Sequence, residues 1–333
     1  MRKALVLGAG GFIGSHLVKQ LKYDGFWVRG VDLKHPEWSE TEADDFVIGD
    51  LLDPSFCFNV MSGKLDDVYQ LAADFGGMGY LESAECEIMR NNALININAL
   101  YAAMRVGVAR YFFSSSVCVY PDMRLGDEAL SEEEVYPALP DNEYGWEKLY
   151  AERIISTYSR HFQTKVRIGR FENCYGPEGT WRGGREKAPA AICRKVAEAE
   201  DGASIELWGD GKAVRNFTYV DDMVDGILKL MNSSWSIPTN IGTSEYITVD
   251  TLANMIIEIS GKKITKEYVA GPVGVESRNF SKKRILSLGW KAKISLPKGL
   301  RETYSWILSQ VRKETGYPYL PSIEKIPPKK ETL

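Results

Sequence analysis

Directly after a short apolar run, the chain reads Gly8-Ala9-Gly10-Gly11-Phe12-Ile13-Gly14. The run Ala4 to Leu7 is typical of a buried strand, and a helical pattern follows the glycines. Glycines at such a junction let the backbone turn tightly and approach a pyrophosphate, which the N-terminus of the helix would bind. They could also be ordinary turn formers. The stretch therefore predicts a dinucleotide site whose contact residues are Gly8, Gly11, Phe12, Ile13 and Gly14.

An acidic residue at the end of the second predicted strand supports this interpretation. Asp32 follows the glycines by about 20 residues, where a carboxylate can accept hydrogen bonds from the adenosine ribose and repel a 2′-phosphate. NAD is therefore expected as the cofactor, while the nearby Lys34 and His35 leave NADP open. Weaker candidates for cofactor contact follow later strands, namely Asp50, Leu51 and Ala72. Each of them could equally be a residue that merely ends a strand and has no role in binding.

Around this turn, short apolar runs alternate with longer helical patterns, as in βαβ units that form a parallel sheet. The predicted strands are Ala4 to Leu7, Trp27 to Val31, Phe46 to Ile48, Val68 to Leu71, Tyr111 to Ser114 and Val166 to Phe171. Helices are predicted to begin near Gly11, Pro54, Ser83 and Tyr144, the third ending at Gly107. The fold class is therefore α/β, a Rossmann-like doubly wound parallel sheet with a smaller C-terminal substrate-binding lobe.

The division into lobes follows from where the βαβ rhythm stops. Residues 1–172 are expected to form the NAD-binding domain, and residues 173–333 mainly the substrate lobe. A glycine-rich basic loop over 175–187 opens the second part. Segments within about 215–243, including a helix from Asp221 to Met231, are expected to return to the first domain. The tail Pro318 to Leu333 is expected to be partly irregular.

The composition excludes several classes of function. The chain has 333 residues, 44% hydrophobic and 26% charged, with a formal net charge of -4. Such a balance gives no basic field for nucleic acid or an anionic membrane. The five cysteines form no CxxC pair and the three histidines show no ligand spacing, so neither a disulfide framework nor a metal site is expected. The N-terminal apolar run is too short for a membrane span, so a cytoplasmic protein is expected.

A possible reacting pair lies in Tyr144-Gly145-Trp146-Glu147-Lys148. Residues four apart share one helical face, and a cation beside a phenol favours the phenolate. Taken alone, these two residues are more simply explained as a tyrosine and a lysine on the surface of a helix than as a reacting pair. The run Ser114-Ser115-Ser116 shifts that balance because it lies at the C-terminal end of the fifth predicted strand, where a parallel sheet faces its ligand crevice.

These features together resemble the extended short-chain dehydrogenase/reductase family, which includes the nucleotide-sugar epimerases and dehydratases. The resemblance covers nearly the whole chain and is most specific in four segments: 72–79, 115–121, 169–173 and 183–191. Within the family, these segments are most similar to enzymes that invert C3 and C5 of GDP-mannose. The resemblance implies NAD as a resident cofactor, a nucleotide-sugar substrate and a homodimer joined through the two long helices.

It also implies roles for five catalytic residues. Tyr144 would start the oxidation at C4, Lys148 would orient the nicotinamide ribose and lower the tyrosine pKa, and Ser116 would hold the hydroxyl. Cys118 and Lys187 would exchange protons at C5 and C3. Taken singly, Cys118 could be a small buried hydrophobe and Lys187 a solvated loop charge. Their occurrence together, each within its matching segment, favours the acid/base pair.

The substrate contacts that the resemblance implies are Gly76, Gly77, Ser116, Asn173, Glu186, Lys187, Ala188, Lys195, Arg215 and Arg278. Ala213-Val214 and Glu276-Ser277 depart from the family pattern, so the base and the hexose stay open. Three alternatives also remain: a C4-epimerase or 4,6-dehydratase of another nucleotide sugar, net dehydrogenation with release of NADH, and a non-catalytic NAD-binding sensor or scaffold.

Overall fold

The computed structural model describes residues 1–272 and 274–315, so the predicted irregular tail lies outside the described residues. Their strands are β1 (Lys3–Leu7), β2 (Trp27–Asp32), β3 (Asp45–Ile48), β4 (Asp67–Gln70), β5 (Arg110–Ser116), β6 (Lys165–Phe171), β7 (Cys174–Tyr175), β8 (Ser204–Trp208), β9 (Val214–Asn216), β10 (Thr218–Tyr219), β11 (Thr239–Ile241), β12 (Tyr246–Thr248) and β13 (Thr265–Val269). Their α-helices are α1 (Phe12–Tyr23), α2 (Pro54–Val60), α3 (Met78–Ser83), α4 (Glu85–Val106), α5 (Glu143–Tyr158), α6 (Ala188–Glu198), α7 (Val220–Asn232), α8 (Val249–Ser260), α9 (Lys283–Ser287) and α10 (Leu296–Thr315).

Seven parallel strands form the central sheet in the order β11-β6-β5-β4-β1-β2-β3. The order reverses between β1 and β4, and in a doubly wound sheet ligands bind outside the carboxyl ends of the strands at this point. The glycine turn follows β1 directly, so it lies at that position. The predicted α/β class and the Rossmann-like sheet are confirmed.

Both faces of this sheet are covered, which explains why its strands read as nearly continuous apolar runs. Ala4 and Val6 of β1 belong to a core shared with α1 and α7, whereas Leu5 and Leu7 belong to a core shared with α2, α4 and α5. The alternation of β1 side chains between the two cores is the period-two geometry of a strand. The carboxyl ends of the strands are thereby held between two helix layers.

The helix boundaries agree with the predictions to within a few residues. The helix predicted to begin near Ser83 is α4, and the short helix α3 that precedes it was not predicted. The α4 helix ends as predicted at Gly107, whose φ of 75° suits a residue without Cβ. The side chain of Asn142 caps α5 by accepting a hydrogen bond from Gly145 N at 2.9 Å.

The chain after β6 contributes to both parts of the molecule. The β11 strand pairs with β6, and α7 packs on α1, so these segments extend the central sheet and its helix layer. The β8 and β13 strands form a separate parallel pair, and α6, α8 and α10 pack on one another. Over residues 1–272 and 274–315, no helix combines the length and apolarity needed to cross a membrane.

Candidate functional site

The glycine turn forms one side of a cavity of about 280 Å³, called here the cofactor cleft. A Cβ on Gly14 would lie 1.9 Å from the Gly8 carbonyl oxygen, so only glycine fits at that position. Gly11 is the N-cap of α1 without a side-chain capping bond, which leaves the helix N-terminus open to an anion. The five residues predicted from the turn all line the cleft: Gly8, Gly11, Phe12, Ile13 and Gly14. This cradle fits a dinucleotide pyrophosphate.

Asp32 is fixed beside the turn by two backbone hydrogen bonds. Its carboxylate accepts from Gly10 N at 2.9 Å and from Leu33 N at 2.7 Å. Burial raises the pKa of Asp32, an effect that these bonds and the nearby Lys34 oppose. The acidic side chain therefore lies at the end of β2, as expected for a ribose ligand.

Besides Asp32 and Lys148, which lie beside the cleft lining, three more predicted cofactor contacts do not line the cleft in this structure. Leu51 is buried in the core under α2 and α4. Asp50 accepts a hydrogen bond from Leu52 N at 2.9 Å, which closes its own turn. The Ala72 backbone packs against Gly8, where an added Cβ would approach Ala72 N to 2.7 Å. Their contact with NAD stays a prediction.

Tyr144 and Lys148 lie on the inner face of α5, as their spacing predicted. Tyr144 lines the cofactor cleft, and the Lys148 Nζ lies 5.5 Å from the centre of its ring. Lys148 is buried beneath, where its Nζ donates to the Ser114 carbonyl oxygen at 3.1 Å. This bond joins the end of β5 to α5 and sets the position of the ammonium.

Burial dominates the electrostatics of the Tyr144/Lys148 pair. Burial raises the pKa of Tyr144 well above its usual value, and Cys118 and Glu147 act in the same direction. Burial also lowers the pKa of Lys148. Desolvation therefore sets the direction of both pKa shifts in the protein alone, and the effect of Lys148 on the acidity of the phenol stays a prediction.

Cys118 and Lys187 reach a second cavity of about 290 Å³, called here the substrate cavity. Cys118 lies in a 3-10 turn over Val117–Val119 whose N-cap is Ser116; the Ser116 Oγ accepts from Cys118 N at 3.2 Å. Lys187 is the N-cap of α6 and its Nζ lies 4.8 Å from the centre of the Phe75 ring. Burial lowers the pKa of Lys187, opposed by Cys174 and Cys118. The thiol and the amine thus enter one cavity from different segments.

All the predicted substrate contacts line the same cavity: Gly76, Gly77, Ser116, Asn173, Glu186, Lys187, Ala188, Lys195, Arg215 and Arg278. Burial and, to a smaller extent, Arg278 lower the pKa of Arg215 to about 10. The Glu186 carboxylate accepts hydrogen bonds from Gly184 N at 2.7 Å and from the Arg194 guanidinium at 3.2 Å. The Lys195 Nζ donates to the Glu206 carbonyl oxygen at 2.7 Å.

Two segments of the chain meet over this cavity and form a clasp. Gly77 N donates to the Arg185 carbonyl oxygen at 3.0 Å, and the Arg185 guanidinium lies 3.6 Å from the centre of the Tyr80 ring. Asp74 accepts from the Tyr80 hydroxyl at 2.7 Å and lies 3.5 Å from Arg185. The loop that follows β4 is thereby joined to the loop that precedes α6.

Sequence reasoning missed a buried ion pair at the junction of the two cavities. Glu172 lines both cavities and forms an ion pair with Lys282. The carboxylate also accepts from Asn216, and the Lys282 Nζ donates to the Tyr246 hydroxyl at 3.1 Å. Glu172 comes directly after β6, so the strand-end argument that identified Ser116 applied to it as well. Lys282 lies in no motif, so nothing in the sequence indicated that it would pair with Glu172.

Comparison with known proteins agrees with this geometry. Residues 4–242 match the model of the NAD dependent epimerase/dehydratase family. The chain is 42% identical over 318 residues to the GDP-mannose 3,5-epimerase of Arabidopsis thaliana, covering 94% of this chain and 84% of that protein. It is 28% identical to UDP-glucuronic acid decarboxylase 1 of Xenopus tropicalis, covering 96% and 75%.

Among solved structures, the fold is similar to UDP-glucose 4-epimerase from Thermus thermophilus in complex with NAD. The TM-score is 0.81 at 25% identity, covering 92% of this chain and 98% of that one. Together with the cradle for a pyrophosphate and the Tyr144/Lys148 pair, these similarities lead to one conclusion. The chain belongs to the NAD dependent epimerase/dehydratase family, and its cofactor is NAD.

Proposed function

We propose that the protein is a 3,5-epimerase of GDP-mannose or a closely related nucleotide sugar. The observation that carries the proposal is the presence of Cys118 and Lys187, two groups able to transfer protons, in the substrate cavity. Ser116 and Lys187 line both this cavity and the cofactor cleft, where Tyr144 lies. A C4-epimerase needs no second acid/base pair, because it changes only the carbon that it oxidises. The 42% identity to an enzyme of that activity supports the assignment.

The mechanism begins at the C4 hydroxyl of the hexose. Ser116 would hold this hydroxyl while the Tyr144 oxygen takes its proton. Bound NAD would accept hydride from C4 and later return it, so the overall reaction is redox-neutral. Lys148, fixed by its bond to Ser114, would orient the nicotinamide ribose. The result of this first step is a ketone at C4.

The ketone makes the hydrogens on C3 and C5 acidic, because each carbanion is delocalised as an enolate. Inversion requires that a proton leaves one face of the carbon and returns to the other. Cys118 and Lys187 would be the two groups that remove and return these protons. Each carbon that loses a proton receives one back, so no net proton is lost from the sugar. Burial lowers the pKa of Lys187, which increases the share of the neutral amine that can take up a proton.

The diphosphate would bind the cationic side of the substrate cavity. Arg215, Arg278 and Lys195 supply charge, and the Asn173 side chain supplies a further polar contact. Gly76 and Gly77 would approach the hexose closely, since neither carries a side chain. The segments outside the central sheet that form this cavity are proposed as the substrate lobe.

The direct test is incubation with GDP-mannose in deuterated water, followed by mass and NMR analysis of the recovered sugar nucleotides. The expected result is deuterium at C3 and C5 together with isomerised product. Cys118→Ala and Lys187→Met are expected to abolish the exchange, whereas Cys86→Ser, an exposed cysteine of α4, serves as the matched control. Recovery of GDP-mannose without deuterium or isomer would refute the substrate assignment.

The same variants separate the alternatives. Activity that survives both Cys118→Ala and Lys187→Met would indicate a C4-epimerase, and loss of water from the hexose would indicate a dehydratase. Accumulation of absorbance at 340 nm would indicate net dehydrogenation. If Tyr144→Phe left every measured phenotype unchanged while the protein still bound NAD, a sensor or scaffold would replace the enzyme.

The assembly is proposed to be a homodimer that forms through α4 and α5. These helices pack on each other and present exposed apolar side chains, among them Met89, Tyr101, Trp146 and Tyr150. Light scattering of the purified protein is expected to give twice the chain mass, and Tyr150→Glu is expected to reduce it. The five free cysteines are consistent with a proposed cytoplasmic location.

A further inference from the structure

The segment that follows β7, residues 176–180 and called here the strap, extends along the cofactor cleft. It begins shortly after β6, and its side chains reach α1 and the chain that follows β2. Because β5 and β4 lie between β6 and β1 in the sheet, the strap passes the carboxyl ends of these two strands. In a doubly wound sheet the ligand binds at this edge. The strap therefore runs along the edge of the sheet where NAD binds.

The strap also packs on the phosphate cradle. Gly176, Gly179 and Thr180 line the cofactor cleft together with the glycine turn. A Cβ on Gly176 or on Gly179 would lie 3.5 Å from the ring of Phe12, the first residue of α1, so the backbone of the strap lies close to that helix end. A pyrophosphate on the N-terminus of α1 would therefore be enclosed between the glycine turn and the strap.

Three hydrogen bonds fasten the strap to the far side of the cleft. The Glu178 Oε2 accepts from the Lys19 Nζ at 2.7 Å and from the Ser39 Oγ at 3.1 Å, and the Pro177 carbonyl oxygen accepts from the His16 Nε2 at 3.2 Å. The Lys19 and Glu178 side chains are 30% and 21% exposed, so water screens this ion pair less than one on the open surface. Burial raises the pKa of Glu178, but the bond from Lys19 outweighs burial and keeps that pKa below its usual value.

The backbone of Glu178 supports a fastening role for its side chain. Its φ is 65°, and among residues 1–272 and 274–315 no other residue besides glycines has a positive φ. A residue with a Cβ rarely adopts this left-handed conformation, which persists only where surrounding contacts hold it. Glycine meets the same requirement at Gly183 and Gly184 in the loop that follows. The conformation of Glu178 is therefore maintained by the contacts of its carboxylate.

We propose that Glu178 and Lys19 form a latch that holds the strap over the cofactor cleft and thereby limits how fast NAD enters and leaves. Ser39 and His16 support the latch from the same side. Under the proposed function, the cofactor molecule that accepts hydride also returns it, so slow exchange would keep the reduced cofactor in place. The latch itself acts on NAD and does not depend on which sugar is the substrate.

A latch of this kind has a kinetic signature that a direct contact to NAD does not share. Each of its bonds joins two groups of the protein, so the energy that keeps the strap closed is the same with and without NAD. Loosening the latch therefore raises the association and dissociation rate constants together and leaves Kd nearly unchanged. The loss of a direct contact would instead raise the dissociation rate constant and Kd together.

The experiment measures exchange of bound NAD for radiolabelled NAD, which gives the dissociation rate constant, and equilibrium dialysis, which gives Kd. The association rate constant is the ratio of the two. The variants are Glu178→Gln, which keeps the shape of the side chain, Lys19→Met, which removes the other partner, and the double variant. Lys22→Met is the matched control, because Lys22 also lies on α1 and forms an ion pair of similar exposure, at 2.6 Å, with Asp44.

We expect Glu178→Gln and Lys19→Met each to raise both rate constants by about tenfold. This factor corresponds to about 1.4 kcal/mol, near the lower end for a hydrogen bond to a charged group, because the pair is partly exposed. The double variant is expected to exchange NAD no faster than the faster single variant, since both changes break the same bond. The control is expected to exchange at the wild-type rate.

Exchange rates that Glu178→Gln and Lys19→Met leave unchanged would overturn the proposal, and so would a rise in Kd as large as the rise in the dissociation rate constant. Equal acceleration by Lys22→Met would also overturn it. If Glu178→Gln does not fold, Lys19→Met gives the same test from α1. No sugar nucleotide is present in these measurements, so the latch and the proposed function can fail independently of each other.

Discussion

The buried pair of Glu172 and Lys282 allows a quantitative prediction about stability. Lys282→Met would leave the Glu172 carboxylate buried without its cation, and Glu172→Gln would leave the Lys282 ammonium buried without its anion. Removing one partner of a buried ion pair typically costs about 3–5 kcal/mol. Replacing both partners removes both charges, while glutamine retains an acceptor for Asn216. We therefore expect each single change to be more harmful than the double change.

The expected shifts in Tm follow from the size of the chain. An unfolding entropy of about 2.1 cal/mol/K per residue gives about 0.7 kcal/mol/K for 333 residues. A loss of about 3–5 kcal/mol then lowers Tm by about 4–7 °C for each single variant. The double variant is expected to recover most of this loss.

Differential scanning calorimetry of the four proteins closes a double-mutant cycle. Lys298→Met is the control, because its pairing with Glu302 in α10 is largely exposed and its loss is expected to leave Tm nearly unchanged. The reasoning would be refuted if the two single losses simply added in the double variant. Additivity would mean that the two charges do not stabilise each other.

Three further changes and one pH profile test the site. Lys187→Arg is expected to lower C3/C5 exchange by about 10²–10⁴-fold, because a guanidinium stays protonated; NAD content should be unaffected. Asp32→Asn is expected to weaken NAD and strengthen NADP binding, measured by fluorescence titration, and equal effects on both would contradict the ribose contact. Gly77→Ala is expected to raise the KM for GDP-mannose and spare NAD binding, because its Cβ would lie 2.7 Å from the Glu186 carbonyl oxygen. Burial raises the pKa of Tyr144, so the neutral phenol dominates at neutral pH. We therefore expect kcat/KM to rise with pH until the pH exceeds the pKa of Tyr144. A pH profile of kcat/KM that stays flat would show that Tyr144 is not the base.

The sequence predicted the fold because its local signals agree with each other. Buried runs such as Ala4 to Leu7 and the stop at Gly107 each specify one structure, and the parallel order follows from the βαβ rhythm. The helix α3 was missed because its six residues are too few to show a helical period. Periodicity identifies long helices such as α4 more readily than single turns.

The residues that line the two cavities could be predicted where they belong to a sequence motif. They could not be predicted where only the folding of the chain brings them to the cavity. Asp141, Glu172 and Lys282 are far apart in sequence from their partners, so no spacing rule connects Asp141 with Arg278 or Glu172 with Lys282. The direction of the Tyr144 pKa shift was not predictable for a related reason. Spacing places Lys148 beside the phenol, but desolvation depends on everything that surrounds it.

The clasp formed by Gly77, Arg185 and Tyr80 has a consequence for how the reaction is completed. A 4-keto sugar that escaped before re-reduction would leave the protein unable to finish its cycle. We expect the contacts between these two segments to slow the escape of that intermediate. A variant that removes one of them, such as Arg185→Ala, is therefore expected to inactivate progressively during turnover rather than start slowly.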